Sequence, residues 1–110
     1  IARVKEAAPH AAILLTTNTD SYVKRKYPNK NGAAVREVML RLATKHGCAV
    51  WDTFGVMGGM HSILAWERAG LAKKDLVHLT RTGYVALGDL LFAAMMEAYG
   101  AHVRSSATER

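Results

Sequence analysis

The chain has 110 residues, half of them hydrophobic and 22% charged, with a formal net charge of +6 and a single cysteine. That is enough for one globular domain, too apolar for a disordered chain, and with one thiol it excludes an internal disulfide framework. The charge points toward a polyanion, but its carriers are scattered: Lys24, Arg25 and Lys26 form the only run of three, and no aromatic platform is interleaved with them, so neither nucleic acid nor a membrane surface is expected as partner.

Residues 3–8 read as the end of a helix stopped by Pro9. The apolar run 11–15, leading to Thr16 and Thr17, has the look of a strand buried on both faces. Residues 18–30 are polar, hold Pro28 and Asn29, and read as a loop at the carboxyl edge of that strand. Asn31 is expected to cap the next helix, in which Val35, Val38, Met39, Leu42, Ala43 and His46 share a face and Gly47 is the stop. Residues 48–54 read as a second strand, making a βαβ unit. Cys48, beside an apolar run, reads as an inert packed thiol. Residues 55–59 are a glycine-rich turn, 62–69 a short helix and 71–80 a loop. Thr82 or Arg81 opens the last helix, with Tyr84, Gly88, Leu91, Phe92, Met95 and Tyr99 as its buried stripe and Gly100 as its stop. The tail 101–110 is expected to be disordered. The longest apolar runs, 11–15 and 90–96, are far too short to cross a bilayer.

One spacing carries chemistry. In Asp75-Leu76-Val77-His78 a carboxylate three residues ahead of an imidazole can fold back and accept a hydrogen bond from one ring nitrogen. That fixes the tautomer and leaves the other nitrogen as a general base. By itself the spacing is weak, because an Asp ahead of a helix is commonly a capping residue. Ser62 follows Gly58-Gly59-Met60-His61 but lacks the Gly-x-Ser-x-Gly elbow, and reads as an N-cap or substrate-side loop residue. His61, in glycine-rich surroundings, and Trp66 are candidates for flanking a substrate. Asp52, His61, Asp75 and His78 together offer metal-ligand chemistry, but no close His pair or Cys ligand supports a site, and neither metal nor cofactor is expected.

The stretch from Trp66 to Tyr84, with Asp75-Leu76-Val77-His78 followed by a short polar turn and Gly83-Tyr84, resembles the last block of the SGNH, or GDSL-type, hydrolases. Val50-Trp51-Asp52, Val56-Met57-Gly58-Gly59, Ser62 and Trp66 are similar to a bacterial subgroup that includes carbohydrate and peptidoglycan O-acetylesterases. The resemblance covers nearly all of residues 1–100. It implies an α/β fold: the C-terminal portion of a three-layer α/β/α, flavodoxin-like domain with a parallel sheet whose N-terminal strands are missing. It also implies ester hydrolysis by a Ser–His–Asp triad, with His78 as base and Asp75 as its orienting carboxylate, on a small-molecule or glycan ester.

The family's nucleophile motif, its oxyanion-hole Gly and its Gly-x-Asn-Asp motif have no counterpart here; all three lie N-terminal in the family, so one missing N-terminal piece accounts for every absence. A leader directing export of the parent protein would likewise lie upstream of Ile1. Two other readings stand beside this one. A small basic binding module would show steep salt dependence, and a non-catalytic relative of the fold would have the upstream strands without the serine.

Overall fold

A computed structural model describes residues 1–109 of the chain. The first helix, α1 (Ala2–Ala7), stops where Pro9 takes Ala8 out of helical backbone, at φ −138°. Strand β1 (Leu14–Thr16) pairs in parallel with β4 (Ala49–Trp51), Leu14 opposite Ala49 and Thr16 opposite Trp51. Helix α2 (Lys30–His46) crosses between them and completes the expected βαβ unit. Its carboxyl end is the left-handed Gly47 (φ 62°), whose N–H bonds Ala43 O, as the sequence implies.

Several boundaries differ from expectation, each for a local reason. The polar segment after β1 contains a small antiparallel hairpin, β2 (Tyr22–Val23) with β3 (Tyr27–Pro28). Lys24 and Arg25 both have positive φ and Lys26 N bonds Val23 O, the geometry of a type I′ hairpin turn, so two of the three clustered basic residues form a turn. Asn29, not Asn31, caps α2: its extended backbone lets its side chain accept from Asn31 N at 3.2 Å. The second strand ends at Trp51 instead of running to Phe54, because Asp52 accepts from Gly55 N and opens a short helix, α3 (Thr53–Met57), where a glycine-rich turn was expected. Helix α4 (Ser62–Arg68) lies where a short helix was read.

The last helix, α5, runs Arg81–Thr108 with Thr80 as N-cap, accepting from Gly83 N. Gly100 does not end it. Its φ is not positive, and the following Ala, His, Val, Arg and Ser residues propagate a helix, so residues 101–108 are helical instead of disordered. Arg110 lies outside the described residues.

The core is a cluster of Met57, Ile63, Ala72, Leu76 and Leu79, with Tyr22, Leu64, Trp66 and Leu87 packed against it. It lies between α3, α4 and the 71–80 loop, not under the sheet. Two expectations of burial fail accordingly. Leu14 and Val50 are substantially exposed, so neither strand is buried on both faces. Tyr84, Phe92, Met95 and Tyr99 are each more than half exposed. The reason is geometric. Among the described residues the parallel sheet has two strands of three residues each, spanning about 10 Å in either direction. A helix of 28 residues is about 42 Å long, and the sheet covers only a fraction of it. The radius of gyration of 16.5 Å, against about 13 Å for a compact domain of this length, reflects the same projection. On α2, Val35, Val38 and Leu42 are likewise outward, and Gly32 and Ala43 face in.

Candidate active site

The 71–80 loop is tightly held at its base. Leu71 and Ala72 N–H groups bond Trp66 O, Ala72 bridges Leu79, Lys73 N bonds His78 O at 2.8 Å and Thr80 N bonds Leu71 O at 3.0 Å. At the tip the chain must reverse within four residues. Leu76 N bonds Lys73 O, and Leu76 itself adopts left-handed backbone, φ 57°, a conformation that costs a non-glycine residue about 1 kcal/mol or more. Burial of its side chain in the core cluster offsets that cost. The turn thereby points Leu76 and Leu79 inward and leaves Val77 and His78 at the surface.

Asp75 is satisfied by this turn. Its Oδ1 accepts from the N–H groups of Val77 and His78, each at 3.0 Å, and its Oδ2 lies 2.7 Å from His78 Nδ1. The bond to the imidazole, then the two backbone N–H groups, holds the Asp75 carboxyl well below the usual carboxylate range. An ionised carboxylate only accepts, so the shared proton sits on Nδ1 and the Nε2 lone pair of His78 is free. That is the tautomer a general base requires. His78 and Asp75 side chains are 63% and 44% exposed, so the pair is a surface feature whose worth lies in orientation, not in stability. No serine hydroxyl pairs with His78 among the described residues.

Of the other sequence-derived candidates, His61 lies in the wall beside this turn. Tyr22 makes the link: its N–H donates to Leu76 O at 2.8 Å and its hydroxyl lies 2.8 Å from His61 Nδ1. Trp66 serves the base of the loop. Its indole N–H donates to Met57 O at 3.0 Å and its carbonyl holds Leu71 and Ala72. Ser62 is the first residue of α4 and not its cap; His61 takes the cap position with left-handed backbone. The capping acceptor comes from a distance: fully buried Asp20 accepts from Ile63 N at 3.0 Å. Asp52 is engaged elsewhere, by Arg36, Thr17 and Gly55 N, and its carboxyl is lowered chiefly by the Arg36 guanidinium. No group of three or more metal-ligating side chains gathers among the described residues.

Sequence reasoning missed Tyr22 and Asp20, whose partners lie some forty to fifty positions away. The one available signal was an aromatic and a carboxylate in the loop at the carboxyl edge of a parallel strand, where sites gather. Beside Val77 a cleft of about 250 Å³ is walled by the uncharged amides and hydroxyls of Asn18, Thr19, Ser21, Asn29 and Asn31 together with apolar surface from Val35 and Val77.

No protein-family model and no curated protein matches the chain. Two solved structures share its fold. One is a peptidoglycan O-acetylesterase, with a TM-score of 0.83 and 24% identity over 88% of this chain and 29% of that one. The other is the esterase domain of the ORF1 protein from the zebrafish ZfL2-1 retrotransposon, with a TM-score of 0.62 and 17% identity over 87% of this chain and 52% of that one. The mixed helix–strand arrangement with its parallel sheet is thus an esterase-like fold, and the chain spans less than a third of one structure and about half of the other.

Proposed function

We propose that residues 1–110 belong to an SGNH-type ester hydrolase with a three-layer, flavodoxin-like α/β/α domain, and contribute the base and orienting acid of a Ser–His–Asp triad. The observation that carries this reading is the Asp75–His78 geometry: a carboxylate locked by two backbone N–H groups holds Nδ1 and leaves Nε2 free. The fold shared with two esterases supports it.

In this reading the serine lies outside residues 1–110. His78 Nε2 takes the Oγ proton as Oγ attacks the ester carbonyl carbon. The tetrahedral intermediate collapses, the C–O bond to the alcohol breaks, and His78 gives its proton to the departing oxygen. The same nitrogen then takes a proton from water, whose oxygen attacks the acyl-enzyme and releases the carboxylic acid. Asp75 stays ionised throughout and stabilises the imidazolium. His61 lies on the substrate side, Trp66 supports that wall, and the uncharged cleft next to Val77, with both amide and apolar lining, suits the hydroxyls and methyl group of an acetylated sugar.

The test compares residues 1–110 alone with the complete protein. The 110-residue chain is expected to show no ester turnover above that of an imidazole, and the complete protein to release acetate from acetylated glycan. Robust hydrolysis by the chain alone would overturn the division of the triad.

A further inference from the structure

We propose that Tyr22 fixes His61 as an N–H donor that recognises a carbonyl oxygen of the substrate, such as that of an acetyl or acetamido group beside the scissile ester. The proposal rests on the hydrolase reading for the identity of the ligand, but its structural basis is independent of it.

The Tyr22 hydroxyl and His61 Nδ1 are 2.8 Å apart, with the rings edge to face at 67° and centroids 6.1 Å apart. Two proton arrangements satisfy that contact. Were Nδ1–H to donate, the weaker donor of the pair would face the weaker acceptor, because a phenol is far more acidic than a neutral imidazole N–H and its oxygen is less basic than an imidazole nitrogen. When the phenol donates, both groups are satisfied, because a neutral imidazole nitrogen is a good acceptor. The proton of neutral His61 then resides on Nε2, and His61 as a residue is exposed.

His78 and His61 thus take opposite tautomers. At His78 the carboxylate of Asp75 draws the proton to Nδ1 and leaves a lone pair outward, as a base needs. At His61 the Tyr22 phenol leaves an N–H outward, as recognition of an acceptor oxygen needs. Tyr22 ties the two elements together, because it also donates its backbone N–H to Leu76 O at the apex of the Asp75–His78 turn. The backbone of His61 is fixed as well: it occupies left-handed space at the start of α4, and buried Asp20 ties the next turn through Ile63 N. Tyr22 is therefore a positioning residue and His61 a binding residue.

The experiment is ¹⁵N NMR of histidine-labelled protein at about pH 8.5, where ordinary imidazoles are neutral, with N-acetylglucosamine added as the probe. The expected result is His61 in the Nε2–H form, a shift toward a tautomer mixture in Tyr22→Phe with His78 unchanged, and movement of the His61 Nε2 signal on adding the sugar. An Nδ1–H form or a mixture in the wild type, no change in Tyr22→Phe, or a sugar response at His78 without one at His61 would overturn it. Should Tyr22→Phe fail to fold, His61→Gln keeps a side-chain N–H donor and should retain sugar binding, whereas His61→Leu should lose about tenfold in affinity. Equal affinities of those two variants would overturn the proposal. Inactivity of the complete protein would remove the hydrolase reading alone, because these signals are read on His61 itself.

Discussion

A methyl group added at Gly83 would lie 1.8 Å from the carbonyl oxygen of Leu71 and 2.8 Å from its carbonyl carbon. An ordinary C···O contact is about 3.3 Å, so helix and loop must separate by about 1.5 Å, and no side chain can turn aside to absorb it. That movement opens the Thr80 N to Leu71 O bond at the base of the loop and disturbs the Gly83 N to Thr80 Oγ1 cap. Losing the bond and the cap costs about 2 kcal/mol, overpacking adds about 1–3 kcal/mol, and the better helix propensity of alanine returns about 1 kcal/mol. Gly83→Ala should therefore destabilise the protein by about 2–4 kcal/mol. Gly88, in the same helix with nothing within 4 Å of an added Cβ, is the control: Gly88→Ala should stabilise by about 0.5–1 kcal/mol. Urea unfolding followed by circular dichroism measures both. If the two variants are equally stable, the close approach of α5 to the loop that carries Asp75 and His78 is wrong.

Two further outcomes follow from the same turn. Asp75 is held below the usual carboxylate range by His78 and two backbone N–H groups. Its bonds therefore hold the turn in place at every pH above about 3.9 and are lost as pH falls through the lower folded value. A ¹³C carboxyl titration of Asp75 should have its midpoint below the ordinary value; a midpoint at or above it would mean those bonds do not form. Ile63 is fully buried beneath the turn, so Ile63→Ala should cost about 2–5 kcal/mol in a denaturation experiment, while a loss within the range of a surface substitution would place the core elsewhere.

What the sequence disclosed was what local chemistry decides. Gly47 ends α2 because left-handed backbone there favours glycine, and the last helix opens at Arg81, one of the two starts read from the sequence; the Thr80 cap came only with the structure. The Asp75–His78 contact was legible for the same reason, since both partners lie in one four-residue turn. The strand read through Phe54 failed because Asp52 diverts the backbone into a helix, a choice between two uses of one carboxylate that period alone does not distinguish. The helix stripe at Tyr84, Phe92, Met95 and Tyr99 has the right spacing yet stands exposed, because spacing predicts a face and not what covers it. Tyr22 and Asp20 act on partners remote in the chain, and Gly83 is required by a backbone carbonyl twelve residues earlier. Such requirements exist only once the chain is folded.

The central claim is that His78 is the base of an ester hydrolase, and acetate release by the complete protein before and after His78→Ala tests it most directly. His78 is largely exposed, so the substitution should leave the fold intact. The account predicts a loss of about a thousandfold or more in kcat with substrate binding little changed. A loss of only a few fold in a folded variant would contradict it and remove His78 from the base role.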